Sequence, residues 1–238
     1  MSTGVLLAAA LVVALGASLQ GVAGFGGNLV AIPLAALIDT DLVPGPILIA
    51  MIVVTVLTAV REDSASSWCV VRWATAGRLP GILAGAVLLG SVTDAALGVV
   101  IAIAVLIAVV VSTLGQRFEP SHRSLLGAGF LSGTSGTAAG IGGPPLALVL
   151  QHGSGPRVRA TLAAYFTLLT PLTLAAIALA GHLTGDQIRS GLALIPAAAI
   201  GFAASSSLRP LVDRHGARPL VLTLSSASAV LLMFRSLS

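Results

Sequence analysis

The sequence predicts an all-α integral membrane protein built as an inverted-topology repeat. Each half is read as a broken, re-entrant helical hairpin followed by three transmembrane helices. Three observations carry this reading: the composition, the lengths of the apolar runs, and a glycine and proline spacing that recurs along the chain.

Of 238 residues, 56% are hydrophobic and 8% are charged, against about 25% charged in an ordinary soluble domain. A chain with so few polar side chains cannot cover itself in water. Its apolar runs at 43–60, 79–92, 95–114, 160–180, 188–208 and 219–234 approach or reach the ~17–25 residues that cross hydrocarbon as a helix. The opening MSTGVLLAAALVVALGASLQ has no basic region ahead of its apolar stretch, unlike a cleaved secretory signal, and is expected to belong to the mature fold. The net charge of +4 comes from 12 arginines, with no lysine, against 8 acids. These arginines are read as lying in short loops between apolar runs, where they set topology rather than bind nucleic acid. A lone Cys69 and the lack of Cys/His groups at ligand spacing argue against disulfide, thiol or structural-metal chemistry.

Sliding the chain on itself by 116 residues pairs Gly24, Gly26 and Gly27 with Gly140, Gly142 and Gly143, and also Pro80 with Pro196 and Gly85 with Gly201. One offset serving two separate groups defines two structural repeats, 1–115 and 123–238, within a single membrane domain. Each begins with an apolar stretch broken inside, 4–38 and 124–151. The breaks GVAGFGGN (21–28) and GTAAGIGGPP (136–145) combine glycines, which adopt unusual backbone angles cheaply, with prolines, which cannot continue a helix. They are expected to separate half-helices of ~10–17 residues, too short to span alone.

Arginine favours cytoplasmic loops, which places Arg61, Arg72, Arg117, Arg123, Arg157, Arg159, Arg209, Arg214 and Arg218 inside. The arginine-free segments holding Asp39, Asp41, Asp94 and Asp186 face outside. With both flanks of the second broken stretch inside, that stretch must enter and leave on one side. The first half mirrors it, giving six full spans and two opposed hairpins, an arrangement common among secondary transporters. The alternative is eight spans in parallel halves, with Arg209, Arg214 and Arg218 outside.

At each break several main-chain N–H groups lose their helical acceptors, and within a membrane these need protein, water or ligand. Oriented N–H groups at helix N-termini favour an anion. The candidate substrate-binding groups are therefore Gly24, Phe25, Gly26, Gly27 and Asn28 on one tip, and Gly140, Ile141, Gly142 and Gly143 on the other. Gln20, Thr134, Ser135 and Thr137 are candidate neutral donors. Neither break holds an acid, which disfavours a carboxylate cation site. Gly85, Gly90 and Gly201 are read as packing glycines.

Arg78, beside Leu79-Pro80-Gly81, is read first as a helix-end side chain that snorkels to the interface, and second as a substrate counter-charge. Thr55, Thr58, Thr167 and Thr170 either line a pathway or bond their own helices. His122, His152, His182 and His215 are expected at the interface, with a proton relay through His152 the lesser reading. Two other classes were weighed. Gly133-Thr134-Ser135-Gly136 matches the pattern around an intramembrane serine protease nucleophile, but no histidine sits inside a later apolar span as general base. A small-anion channel would share the topology.

Four segments, GVAGFGGNLVAIPL (21–34), RWATAGRLPGILAGAVLLG (72–90), GFLSGTSGTAAGIGGPPLALVL (129–150) and RVRATLAAYFTLL (157–169), resemble the TauE/SafE family of sulfite and sulfonate transporters over nearly the whole length. The resemblance implies a gradient-driven, multi-pass carrier in a bacterial-type cytoplasmic membrane. Its substrates would be sulfite, sulfonates or sulfoacetate-like anions, held at the glycine-rich tips. The partners expected are that small anion and the lipid bilayer, with a proton or sodium ion as the candidate coupling ion and a homodimer as the candidate assembly. No cofactor, metal or nucleic acid is expected. One departure bears on specificity: the family's first motif often has three glycines in a row, whereas Asn28 stands in the third place here.

Overall fold

The computed structural model describes residues 2–62, 66–113, 120–151, 153–215 and 218–237. Arg117 and His152 lie outside the described residues, as do the side chains of Asp94, Arg209, Arg214, His215 and Arg218. The described residues form α-helices joined by short turns, with no strand among them. In order these are α1 (Thr3–Ala23), α2 (Gly27–Ile38), α3 (Gly45–Arg61), α4 (Trp68–Ser91), α5 (Asp94–Thr113), α6 (His122–Ala139), α7 (Gly143–Leu150), α8 (Gly155–Leu179), α9 (Gly185–His215) and α10 (Arg218–Leu237). A single 3-10 turn, Thr40–Leu42, leads into α3.

Among the described residues, five segments are long and apolar enough to cross a bilayer: Thr3–Ala23, Thr40–Arg61, Trp68–Ser91, Gly155–Leu179 and Gly185–Ser207. Shorter apolar stretches are Gly27–Ile38, Ala96–Val110 and Val221–Ser236. The chain is therefore a multi-pass membrane protein, and large apolar side chains such as Leu11, Leu83, Val87 and Leu179 stand exposed along its helices.

Two expectations need correction. The first limbs of the broken stretches are not short: α1 has 21 residues and α6 has 18, whereas α2 has 12 and α7 has 8. A glycine inside a helix costs only ~1 kcal/mol, so α1 continues through Gly21 and α6 through Gly133 and Gly136, each stopping only at a glycine in left-handed conformation. The arginines are also not confined to loops. Helix α4 begins at Trp68 and carries Arg72 and Arg78 within it, and α8 begins at Gly155 and carries Arg157 and Arg159. The sequence reading sets Arg78 at a helix end, but Arg78 and Pro80 lie inside α4, as Pro33 and Pro171 lie inside α2 and α8.

Packing exchanges the parts of the chain: α4 lies along α6, while α9 lies along α1. Helices α3 and α8 meet each other in the middle, and α5 meets α10. The α4–α6 seam is close because Gly77, Gly81 and Gly85 recur at every fourth residue on one face, opposite Gly129 and Gly133. A Cβ on Gly133 would stand 2.5 Å from the Arg78 carbonyl oxygen, and one on Gly85 would stand 2.6 Å from that of Thr134. Gly201 meets the main chain of Ala14 in the same way across the α9–α1 seam. Gly85 and Gly201 are thus packing glycines, whereas a Cβ on Gly90 would meet only His182, at 3.9 Å.

This seam makes a direct prediction. Gly133→Val forces main chain apart and is expected to destabilise the folded protein by ~2 kcal/mol or more. Gly127→Val, where a Cβ meets nothing within 4 Å, is expected to have little effect. Thermal unfolding of the purified protein in detergent compares the two, and equal melting temperatures would refute the seam.

Candidate functional site

Each broken stretch stops its first helix with the same device. Gly24 ends α1 at φ 82° and Gly140 ends α6 at φ 73°, a left-handed conformation that other residues adopt only with strain. The Gly24 amide donates to the Gln20 carbonyl at 2.7 Å, and the Ile141 amide donates to that of Ser135 at 3.2 Å, closing each helix end. The chain then turns and starts a second helix that runs back against the first.

The two turns touch. Asn28 Nδ2 donates to the Gly140 carbonyl at 2.9 Å, a main-chain acceptor freed by the second break. A Cβ on Gly143 would lie 3.8 Å from Phe25 Cβ and 4.0 Å from the Gly26 nitrogen. Several main-chain N–H groups here meet no main-chain acceptor among the described residues: Phe25, Gly26, Gly27 and Asn28 on the first turn, Gly142 and Gly143 on the second. The second turn offers fewer because Pro144 and Pro145 have no N–H to contribute.

Between the turns lies a cavity of about 50 Å³. That is several times the ~10–15 Å³ needed by one water, which suits a ligand of a few heavy atoms. Its walls are Gln20, Gly24, Phe25, Gly26 and Asn28 from the first turn, and Gly136, Gly140, Ile141, Gly142, Gly143 and Pro144 from the second. Leu48, Met51, Ile52 and Thr55 of α3, Phe166 and Thr170 of α8, and Arg78 of α4 complete it. Thr55 and Thr170 thus line the cavity, and the Thr55 hydroxyl also donates to its own helix at Ile52, 2.8 Å away. Thr58 donates to Val54 and does not reach the cavity.

Arg78 corrects the sequence reading. It is 2% exposed, and so does not snorkel. Its Nη1 donates to Ser132 Oγ and its Nη2 to Thr173 Oγ1, both at 3.1 Å. Its Cζ stands 5.0 Å from the Tyr165 ring centre and 5.1 Å from that of Phe166, close enough for cation–π attraction. Its Nε has no partner. The ion pairs among the described residues join Arg61 and Arg159 to Glu62, and Arg189 to Asp186, so none reaches Arg78. A signal for this position did exist in the sequence. The glycines at 77, 81 and 85 mark a helical face buried against a neighbour, and Arg78 sits one residue from it.

Four expected site residues lie elsewhere. Gly27 faces Gly16 and Gln20 of α1, where a Cβ would stand 2.8 Å from Gln20 Cβ. Thr137 is fully buried beside Gly85, with no bond from its hydroxyl. Thr134 and Ser135 line a second cavity of about 780 Å³, walled by apolar residues such as Leu88, Ile103, Ile107 and Leu148. At 3.6 residues per turn, α6 brings Ser132 to the Arg78 guanidinium and Gly136 to the small cavity, and turns Thr134 and Ser135 to the apolar side. The Ser135 hydroxyl lies 2.7 Å from the carbonyls of Leu131 and Ile141, and no histidine is among its partners. That arrangement caps a helix and lacks the base a serine nucleophile needs. His122 is exposed and stacks on Trp73 at 4.3 Å, a surface role.

These features define a class: a helical, multi-pass membrane transporter with a small, positively charged cavity where two broken helices meet. The chain belongs to the sulfite exporter TauE/SafE family, whose model matches residues 8–232. Members of that family are transporters, not enzymes. Comparison with curated proteins and with solved structures gave no match.

Asn28 tests the contact between the turns. Asn28→Ala removes the bond to Gly140 and leaves that carbonyl without its donor, at an expected cost of ~1–2 kcal/mol. Asn28→Asp should cost more, because it places an acceptor against an acceptor and adds negative charge to the cavity. Melting temperatures of the two variants in detergent should fall in that order, and no change in either would separate the turns.

Proposed function

We propose that this protein is a secondary carrier that moves a small sulfur-containing anion, sulfite or a sulfonate or sulfoacetate-like ion, across a bacterial-type cytoplasmic membrane. The anion occupies the cavity between the two glycine turns. The observation that carries this reading is Arg78, a buried guanidinium with no carboxylate beside it among the described residues. An isolated buried charge costs several kcal/mol, and an anion in the cavity offsets that cost. Gly26, Asn28, Gly142 and Gly143 line the same space with amides that meet no main-chain acceptor among the described residues, and glycine lets an oxyanion approach such donors closely. The family match supports sulfur as the central atom, since the geometry by itself would accept other small oxyanions.

The carrier reading also takes the two halves as inverted repeats with opposed re-entrant hairpins, and the exchanged packing of α4 on α6 and α9 on α1 supports it. Alternating access would then move one hairpin pair against α3 and α8, with a proton or sodium ion as the coupling ion. Cysteines introduced at Arg157 and Arg214 should label from the same face. Labelling from opposite faces would replace the hairpins with full crossings.

Arg78→Gln is expected to abolish sulfite-dependent thermal stabilisation and to weaken binding by ~100-fold, the upper range for hydrogen bonds to a charged group. Arg78→Lys should recover only part of this, because an ammonium cannot reach Ser132, Thr173 and an anion in the planar pattern of a guanidinium. In proteoliposomes, saturable counterflow of sulfite supports a carrier. Large unsaturable currents would instead mark a channel, and sulfite binding unchanged in Arg78→Gln would overturn the site.

A further inference from the structure

Outside the cavity, three partly buried charged side chains, Arg61, Glu62 and Arg159, gather just beyond the first glycine turn. Glu62 caps the end of α3. Its Oε1 accepts from Arg159 Nε at 3.2 Å and lies 3.8 Å from Arg61 Nε. The side chains of Arg61, Glu62 and Arg159 are only 22%, 10% and 16% exposed.

The two arginines are held differently. Arg61 is committed to the fold: it donates to the Gly21 carbonyl near the end of α1 and to Ser205 of α9, and its Cζ stands 4.3 Å over the Phe202 ring. A cation at the C-terminal end of a helix is favourable. Arg159 gives the protein only its Nε, and its Nη1 and Nη2 groups meet no acceptor among the described residues. Its stem covers Gly24, where an added Cβ would lie 3.0 Å from Arg159 Cβ, and Gly24 is a wall of the anion cavity. Arg159 therefore stands between that cavity and the face where α3 ends and α8 begins.

We infer that Arg159 is a second anion-binding station, an outer site at which a small oxyanion docks on its way to or from Arg78. Glu62 is the internal anion that holds the station when substrate is absent. This rests on the central cavity being the anion site. The chemistry is matched, because a carboxylate, a sulfonate and sulfite all present two or more oxygens to the planar donors of one guanidinium. Entry is an exchange of partners: the incoming anion takes Nη1 and Nη2, weakens the bond from Nε to Glu62, and draws the Arg159 stem off Gly24.

The test is sulfite transport in oriented proteoliposomes with sulfite supplied from one face at a time, alongside sulfite-dependent thermal stabilisation of the same purified variants. Arg159→Gln is expected to raise the KM at the Arg159 face by ~5-fold or more, while leaving the KM at the other face and the stabilisation nearly unchanged. Glu62→Gln is expected to lower the KM at the Arg159 face, since the internal competitor is gone. If Arg159→Gln fails to fold, the double variant Glu62→Gln/Arg159→Gln removes the pair without stranding a charge and should show the same one-sided rise. An ion pair serving stability alone would lower the melting temperature without any face-specific change in KM, and that result overturns the outer station. Sulfite stabilisation that survives in Arg78→Gln would instead overturn the central site, so the two failures are distinguishable.

Discussion

A main-chain polar group inside hydrocarbon must find a partner within the protein, and the two glycine breaks are where this chain leaves that requirement open. Every other part of the structure serves to hold those open groups together. The left-handed Gly24 and Gly140 end the first helix of each broken stretch. The second limbs fold back, and Asn28 joins one turn to the other across the gap. What remains is a set of amides with no main-chain acceptor among the described residues, on turns that line a space suited to a compact ligand.

The charge in that space depends on the α4–α6 seam. Small residues at every fourth position let the two main chains approach until side chains of α6 and α8 can reach into the same layer. Arg78 is thereby enclosed by Ser132 from α6 and by Thr173, Tyr165 and Phe166 from α8. The hydroxyls and rings orient the guanidinium without neutralising it. A carboxylate in any of those places would have stabilised the fold more and left the cavity without its net charge. This links the packing glycines to the site: widening the seam would also move Arg78.

The membrane class and the two breaks were legible in the sequence because apolar length and clustered glycine are local signals. The family resemblance was legible for the same reason, and the match to residues 8–232 bears it out. The first turn read almost completely, with Gln20, Gly24, Phe25, Gly26 and Asn28 all at the cavity. Arg78 did not, because it stands just before the apolar run 79–92 and so reads as a helix-end side chain. Only the packing around Gly77 and Gly81 shows that the helix carries on through it. Thr134 and Ser135 were assigned by nearness in sequence, and helical rotation sends them to the apolar side. The polar residues of α3 and α8 that complete the wall, Thr55 and Thr170, lie far from either motif, and only the tertiary meeting of the helices selects them over Thr58 and Thr167.

The balance of charge at the cavity also bears on how a carrier of this design would cycle. With the site empty, any motion that carries Arg78 through a dry interior moves an uncompensated cation, which is costly in a medium of low dielectric. With one monoanion bound, the moving unit is neutral and its remaining polar groups are bonded within it. The loaded form therefore crosses the barrier more readily than the empty one, which favours exchange over net flow unless a second ion accompanies the return step. A dianion such as fully ionised sulfite would leave a net negative charge on the loaded form, so a co-transported cation or the protonated monoanion balances the site better. On the carrier reading proposed above, the single positive charge of Arg78 would set the preferred charge of the substrate as well as its sign.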